Sequence, residues 1–545
     1  MTVGLAGQNP NGKAESDTVV TEANEKPDVA RPEQIPAPEP ERQAGLRRAV
    51  IGVERRFGSA ALVFLLIAGI FGAVWSVLTP PFWGHDEITQ FGRAYQVAHG
   101  GFLPEQIHDD RGPAWGGDVP VSIDALMSYA FHDYQDNPDE PEPMVEDPHA
   151  YDVLGGLAVS DQTKQVWFTN TAAYSPIPYL PPAAGIRLAE ALDLNVGGIV
   201  LATRWAGLLA YLVIVGFALR VLRGHRVQWL AFTVAVLPIA LFQAGTVTAD
   251  TVTNALALLL SALVVKGLFL GRRLSKPETV AALATTILLP VCKPTYVLIA
   301  MLIVLIPARR FGFGAGDGSE GNGGDARVAL WQRVLPWAAA GIGAVSFAIW
   351  MKIAAPTGDG MSLMRPKKDW GSVRPGDQLH GILTDPVHFV RVFGDSIARR
   401  DQHWFVQFFG ELGFSYVEVP ALTVLASLLA FTVSIGTAER FSPRGANRTR
   451  TWLVLATVAA SVAMIYVTLY MSFTPVGYFI IDGVQGRYFV PLAVLGLAVV
   501  LRWMPLRLTD AAGRIPVRGA AITVVAATSV ALIAAVVKYS TLVWG

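Results

Sequence analysis

Adjacent ionisable residues follow the first long apolar run of the chain. The sequence Trp83-Gly84-His85-Asp86-Glu87 lies a few residues past the run from Ala60 to Leu78. Ionisable side chains close to hydrocarbon are costly, so they usually line a water-filled cavity or a substrate path. His85, Asp86 and Glu87 are therefore candidates for a functional site at the membrane boundary. A solvated turn that merely ends the apolar run is the alternative interpretation.

The composition is typical of an integral membrane protein. Of the 545 residues, 52% are hydrophobic and only 16% are charged. A spanning helix needs roughly 20 apolar residues, and such runs recur from Ala60 to Val543. The formal net charge of +0 argues against a nucleic-acid partner. The single cysteine, Cys292, allows neither a disulfide framework nor a multi-cysteine metal site.

The apolar runs predict an all-α polytopic membrane protein with about eleven transmembrane helices. The spans are expected near residues 58–79, 196–219, 227–246, 250–270, 278–291, 294–308, 331–354, 418–438, 451–471, 486–504 and 519–541. The fifth and sixth runs meet at Cys292-Lys293-Pro294. Because Pro disfavours helix at the residue before it, these two runs are either one kinked helix or a tight hairpin.

The basic residues between the runs predict the orientation, because Lys and Arg accumulate in short cytoplasmic loops. All the basic loops fall on one side of the membrane if the N-terminus is cytoplasmic. Their residues are Arg47, Arg48, Arg55, Arg56, Arg220, Arg223, Arg226, Arg272, Arg273, Lys276, Arg309, Arg310, Arg440, Arg444, Arg448, Arg450, Arg502, Arg507, Arg514 and Arg518. This orientation places two large loops outside, at 79–195 and 355–417, and a Gly-rich linker inside, at 309–330.

The chain is predicted to have two parts. Residues 1–45 are rich in Pro, Glu, Ala and Asn and lack apolar periodicity, which predicts a disordered cytoplasmic tail. Residues 58–543 are predicted to form one transmembrane domain that includes the linker and both large loops. External loops of this size indicate a function that faces outward.

Six segments of this sequence, in order, are similar to those of a known family. They are Asp86 to Gly100, Tyr174 to Tyr179, Thr248 to Asn254, Lys293 to Tyr296, Gly410 to Gly413 and Gln485 to Phe489. Together they cover about residues 75–505 and resemble the bacterial membrane family called domain of unknown function 2142. Members often carry Pro two residues after the Asp and His four residues after it, where this chain has Ile88 and Gln90.

That family is similar to the GT-C glycosyltransferases, polytopic enzymes with an acidic residue in the first outer loop. The resemblance implies a GT-C-like fold in the bacterial plasma membrane. It also implies transfer of a sugar from a polyprenyl-phosphate donor to a cell-envelope glycan or glycolipid on the extracytoplasmic side. On this hypothesis Asp86 is the general base and His85 tunes the carboxylate pair. Glu87 holds the acceptor or a divalent cation, and the sequence specifies no particular metal.

The departing polyprenyl phosphate requires a cation, and Arg487 is the first candidate. It begins the tenth run beside Gln485 and Gly486, and Gly is expected to let a lipid head group approach closely. An Arg that snorkels to the interface is the alternative. Lys293 is a second candidate cation, whose alternative is a helix-end lysine. Gln485 and Tyr488 complete this set of substrate-binding candidates.

Other polar residues have two interpretations each. Asp250 is either a wall of the sugar pocket or the N-cap of the fourth span. Arg93 is expected either to reach a phosphate or to pair with Asp86. In the second outer loop, acceptor or diphosphate binding and simple solvation are both open for four residues: Arg399, Arg400, His403 and Glu411.

Two other classes of function fit the same pattern. A transporter or flippase of lipid-linked saccharides also needs polar groups within the membrane, although the chain shows no convincing internal repeat. A non-catalytic scaffold in envelope assembly is consistent with the departures at Ile88 and Gln90. A transferase requires Asp86 and Arg487 to face one pocket with a groove open to lipid, whereas a transporter requires a polar path through the bundle.

Overall fold

α-Helices dominate the computed structural model. It describes residues 56–110, 112–136, 143–313, 329–358, 373–414, 417–439, 446–504 and 517–545, together with 52, 54 and 441. The predicted tail at 1–45, most of the predicted linker at 309–330 and residues 359–372 of the second large loop lie outside the described residues.

Nineteen α-helices occur within the described ranges. They are α1 (Ser59–Leu78), α2 (Glu87–Ala98), α3 (Val121–Asp136), α4 (Pro148–Gly155), α5 (Thr169–Ala172), α6 (Leu180–Ala191), α7 (Val196–Val221), α8 (Gln228–Ala235), α9 (Pro238–Ala244), α10 (Ala249–Val264), α11 (Lys276–Cys292), α12 (Val297–Ala300), α13 (Leu330–Ala354), α14 (Pro375–Thr384), α15 (Pro386–Phe409), α16 (Ala421–Thr437), α17 (Arg448–Ser472), α18 (Val490–Trp503) and α19 (Val517–Trp544).

Seven helical segments are long and apolar enough to cross a membrane, and this confirms the predicted all-α polytopic class. They are Ser59–Leu78, Val196–Val221, Ala249–Phe269, Leu330–Gly358, Arg448–Ser472, Gly486–Trp503 and Arg518–Trp544. Two shorter apolar segments, Pro294–Leu305 and Ala421–Thr437, accompany them. The chain is therefore a multi-pass membrane protein.

Two of the eleven predicted spans are not continuous helices. The run near 227–246 is divided between α8 and α9, because Pro238 has no N–H to continue the hydrogen-bond ladder. The run near 294–308 contains only the single turn α12 between 3₁₀ segments. Lys293 between α11 and Pro294 is extended, with φ −149° and ψ 122°, and this excludes one kinked helix.

The helix α10 lies at the centre of the bundle. It continues through a π-helical turn at Val265–Phe269 and packs against α7, α11 and α18. Nearly all its residues are buried, which is expected only of a helix surrounded by protein. Its first turn, which carries Asp250, is therefore held rigidly by neighbours on every side.

The first large loop is a folded region. It contains α2 to α6 and an antiparallel sheet in the order β1 (Glu105–Ile107), β2 (Ala114–Pro120) and β3 (Thr163–Trp167). The helix α2 packs against α6 and β2, and α6 packs against α7. In the second loop, β4 (Glu411–Leu412) pairs with β5 (Val417–Glu418) directly after α15. The packing of α6 on α7 holds the first loop region against the bundle, and contacts of α15 and β4 with α9 hold the described part of the second.

Candidate functional site

Asp86 lies in a tight turn that directs its side chain away from the helix it precedes. Its φ of 53° is in the left-handed region, which Asp tolerates better than most residues. The backbone oxygen of Asp86 accepts hydrogen bonds from Gln90 N at 2.9 Å and from Thr89 Oγ1 at 3.0 Å. The carboxylate makes no capping bond to α2, so it is available for other contacts.

Four charged groups from separate parts of the chain meet beside this turn, and they are called the charge cluster below. Asp250 Oδ1 lies 2.6 Å from Lys293 Nζ. Arg487 Nη2 lies 3.8 Å from Asp86 Oδ2, and Arg487 Nε lies 3.9 Å from Asp250 Oδ2. The cluster thus joins the start of α2, the first turn of α10, the end of α11 and the segment before α18. The two carboxylates balance the two cations.

The guanidinium of Arg487 has unused donors. Its side chain is 6% exposed, and Nε and Nη1 are buried without a hydrogen-bond partner among the described residues. Charge-assisted N–H···O bonds are normally about 2.7–2.9 Å long, so the 3.9 Å contact from Nε to Asp250 Oδ2 is too long to satisfy that donor. Buried donors of this kind are costly unless an acceptor arrives. The geometry suits an anionic ligand.

The aromatic ring of Tyr488 contacts both cations of the charge cluster. The Tyr488 ring centroid lies 4.4 Å from Lys293 Nζ and 5.4 Å from Arg487 Cζ, within the range of cation–π attraction. Tyr296 donates a hydrogen bond of 2.9 Å from its hydroxyl to the backbone oxygen of Tyr488. Tyr488 therefore contributes to the charge cluster through its ring.

Gly486 has a different role from the one expected. A Cβ at this position would lie 2.1 Å from the backbone oxygen of Trp404 in α15. Gly486 N also donates a 2.8 Å hydrogen bond to Gln407 Oε1. The close approach is therefore between two protein backbones and not with a lipid head group. This packing fixes the backbone that carries Arg487.

Glu87, expected as an acceptor or cation ligand, is instead part of a buried structural ion pair. Arg204 of α7 donates to both carboxylate oxygens, from Nε at 2.8 Å and from Nη2 at 2.6 Å. Gly84 N and Val247 N also donate to Glu87, each at 2.9 Å. The side chains are 0% and 3% exposed for Glu87 and Arg204. Both oxygens of Glu87 are thus already occupied.

Arg93 and Asp250 also differ from their expected roles. Arg93 does not pair with Asp86 in the described part of the chain, because its guanidinium donates to the backbone oxygens of Gly101, Phe102 and Tyr174. It therefore ties the first loop region together. Asp250 is not the N-cap of α10, since Thr248 occupies that position and accepts from Asp250 N.

His85 and Gln90 lie on either side of Asp86 in the sequence, and both contact the bundle. His85 is buried, meets the ring of Phe242 edge-on, and its Nδ1 has no hydrogen-bond partner in the part of the chain described. Burial, reinforced by the charge of Arg487, lowers the pKa of His85 well below its usual range. Gln90 accepts hydrogen bonds from Tyr179 Oη at 2.6 Å and Ala249 N at 3.2 Å, which links α2 to the start of α10.

Burial raises the pKa of Asp86 above its ordinary value, although its side chain is 39% exposed. The charge of Asp250 raises the pKa further, while Arg487 and Lys293 oppose the shift. Asp86 is therefore a stronger base, once deprotonated, than a solvated aspartate. This property and its exposure suit a group that accepts a proton from a ligand.

A polar cavity of about 240 Å³ lies between α15 and the segment that leads to α18. Arg400, His403, Glu411 and Gln485 line it, whereas Arg399 stacks over Phe479 and does not. Ligand atoms of His403, Glu411 and Glu418 lie within 4.8 Å of one another, so these three residues are the group that could hold a metal ion among those described.

An apolar groove of about 530 Å³ has Phe489, two residues after Arg487, in its lining. It follows α18 through Leu492, Ala493 and Gly496, and aromatic residues of α15 form its opposite wall: Phe405, Phe408 and Phe409. Most of its remaining lining comes from the apolar helices α16 and α18, and α17 contributes Val462. The groove is therefore an apolar surface between helices of the bundle, and it shares the segment before α18 with Arg487 through Phe489.

The match to known proteins is at the level of the family. A family model described as predicted membrane protein, domain of unknown function 2142, matches residues 69–496. The chain belongs to this family. No curated protein matches the chain, and no solved structure matches it. The match includes Asp86, Asp250, Lys293 and Arg487.

Proposed function

We propose that this family member is a glycosyltransferase that moves a sugar from a polyprenyl-phosphate donor to a cell-envelope glycan or glycolipid. The observation that carries the proposal is Arg487, a buried cation with unused donors that faces the partly exposed carboxylate of Asp86. A phosphate between Arg487 and Lys293 would supply the missing acceptors. In the predicted orientation the reaction takes place on the outer side of the bacterial plasma membrane.

The chemistry requires one base and one anion site. Deprotonated Asp86 takes the proton of the acceptor hydroxyl while that oxygen bonds to the anomeric carbon of the sugar. The bond between the anomeric carbon and the phosphate oxygen breaks, and its electron pair leaves with the polyprenyl phosphate. Arg487 and Lys293 stabilise the charge that develops on this leaving group.

The apolar groove supports a lipid donor in preference to a soluble one. A polyprenyl chain needs an apolar path that starts beside its phosphate and continues into the membrane. The apolar groove supports this because Phe489 in its lining is two residues after Arg487, and its walls are helices of the bundle. A water-soluble nucleotide sugar would have no use for it.

The anion site is tested by binding of a polyprenyl monophosphate to the protein in lipid nanodiscs. Arg487→Gln removes the cation, and hydrogen bonds to charged groups are strong enough that we expect binding about 10- to 100-fold weaker. Arg399→Gln, which removes a cation outside the cluster, should bind like the parent. Equal binding by Arg487→Gln, or equal binding of the neutral polyprenol by the parent, would contradict the proposal.

The pH dependence tests Asp86 as the base. Activity requires deprotonated Asp86, so the pH–rate profile should have a rising acid limb. The midpoint of this limb should lie above about 3.9, the pKa of an ordinary aspartate. Lys293→Gln removes a cation that lowers this pKa, so the limb should move to higher pH. A pH series of kcat/KM measures it, with the exposed-lysine variant Lys164→Gln as control. An unmoved limb in Lys293→Gln would argue against the assignment.

The groove is tested with donors of different chain length. Gly496→Trp places a large side chain in the groove, and we expect affinity for a long-chain polyprenyl phosphate to fall at least about tenfold because apolar burial is lost. A donor with only two isoprene units should bind equally to parent and variant. Gly341→Trp on α13, where a Cβ meets nothing within 4 Å, is the matched control. Equal losses for both donors would indicate general disruption.

A further inference from the structure

The segment from Gln485 to Phe489 contacts three different environments in sequence order. Gln485 lines the polar cavity, Arg487 belongs to the charge cluster, and Phe489 lines the apolar groove. A polyprenyl-phosphate sugar has the same order of chemical parts: a polar ring, a phosphate and an apolar chain. The polar cavity is thus the candidate place for the sugar of such a donor.

The size of the cavity suits a single sugar ring. Its volume of about 240 Å³ is below the roughly 300–1,000 Å³ of pockets that take drug-sized ligands. Trp404 and Phe473 form apolar parts of its wall. The indole of Trp404 is fixed by a 2.9 Å hydrogen bond from Nε1 to the backbone oxygen of Val484.

The cavity also contains acceptors suited to hydroxyl groups. Gln485 Oε1 is buried without a hydrogen-bond partner in the described ranges. Glu411 uses one carboxylate oxygen to accept from Gln407 Nε2, which leaves capacity on the other. Arg400 is exposed at the rim and supplies donors. Acceptors and donors around a small cavity with aromatic walls are the chemistry that recognises a polyol ring.

Gln407 connects the cavity to the anion site. Its Nε2 donates to Glu411 and also contacts His403 Nε2 at 2.8 Å, and its Oε1 accepts from Gly486 N. One side chain therefore orients the carboxylate of the cavity and the backbone next to Arg487. A ligand that occupied both places would be held by a single connected network.

We propose that the polar cavity binds the sugar ring of the donor, with Gln485 and Glu411 accepting from its hydroxyls and Arg400 donating to it. This inference rests on the proposed transferase function and assigns the sugar a place that the function alone does not. The ligand class is a single hydroxylated sugar ring, because a cavity of about 240 Å³ offers both acceptors and donors.

Saturation-transfer NMR tests this assignment with the full chain in nanodiscs and the methyl glycosides of glucose, galactose and mannose as probes. We expect at least one glycoside to receive saturation from the parent. Gln485→Leu, which keeps the side-chain volume, and Arg400→Gln should weaken that binding by about tenfold each. Arg399→Gln, next in sequence and outside the cavity, should not change it.

Asp86→Asn separates this inference from the proposed function. If the cavity holds the sugar and Asp86 is the base, this variant binds the glycoside normally and loses transfer. If the parent transfers sugar, Asp86→Asn does not, and neither the parent nor any variant binds a glycoside, the sugar site is overturned while the transferase function stands. A glycoside bound equally by Gln485→Leu and the parent would also overturn it. So would stoichiometric binding of Mn²⁺ or Zn²⁺ that requires His403 and Glu418 and blocks the glycoside, because the cavity would then be a cation site.

Discussion

Asp86→Asn is expected to lower sugar transfer by about 10²–10⁴-fold, which is the usual contribution of a positioned general base. The amide keeps the shape of the side chain but cannot take the proton of the acceptor hydroxyl. The measurement uses purified protein, a set of polyprenyl-phosphate sugars and an envelope glycan acceptor, with release of polyprenyl phosphate as the readout. Binding of the polyprenyl phosphate should change little, because Arg487 and Lys293 are retained.

The control for this variant is a change of similar size at an acid that does not belong to the charge cluster. Asp124→Asn in α3, whose carboxylate pairs with Lys164, should retain the parent rate. Equal transfer by Asp86→Asn and the parent would remove Asp86 as the base. Movement of the intact donor across the bilayer, with no sugar transferred by the parent, would instead support the transporter alternative.

The class of fold and the positions of most spans could be predicted from the sequence. Long apolar runs leave few options, since backbone groups in hydrocarbon must be satisfied within a helix. The exceptions have local causes. Pro238 divides one run, and the extended backbone at Lys293 ends another. Such breaks depend on tertiary contacts that replace the missing helical hydrogen bonds, and hydropathy does not report those contacts.

The candidate site was only partly accessible to sequence reasoning. Asp86 and Arg487 are 401 positions apart, and their approach to 3.8 Å was expected only through the family resemblance. The charge types at Asp250 and Lys293 gave no sign that they pair with each other at 2.6 Å. Residue type and spacing identified the candidates, while the packing of α10 and α11 determined which of them meet.

Arg204 was the residue that sequence reasoning missed. It lies within the apolar run of α7, where a charged side chain is costly unless it has a partner. That cost was the available signal, but the sequence did not identify Glu87 as the partner. The ion pair with Arg204 gives Glu87 a structural role. Its neighbour Asp86 is therefore the one of the two adjacent carboxylates that remains a catalytic candidate.

Arg204→Met is expected to be the most destabilising single change near the site. Removing one partner of a buried ion pair leaves the other charge uncompensated, at a cost of about 3–5 kcal/mol. The guanidinium also donates to the backbone oxygens of Ser76, Thr79 and Pro80, so the turn after α1 would lose its anchor. We expect the midpoint of thermal unfolding to be clearly lower than that of the parent when both proteins are measured in the same detergent.

The matched control is Arg187→Met, because that arginine is 60% exposed and pairs with Glu190 on the surface. An exposed pair contributes only about 0–1 kcal/mol, so the thermal midpoint should hardly move. The double variant Glu87→Gln with Arg204→Met should be less destabilised than the sum of the single variants, since neither charge is then left alone. Strict additivity, or an Arg204→Met protein as stable as Arg187→Met, would show that the pair does not hold the Asp86 turn in place. Asp86 would then need another source of rigidity to act as a positioned base.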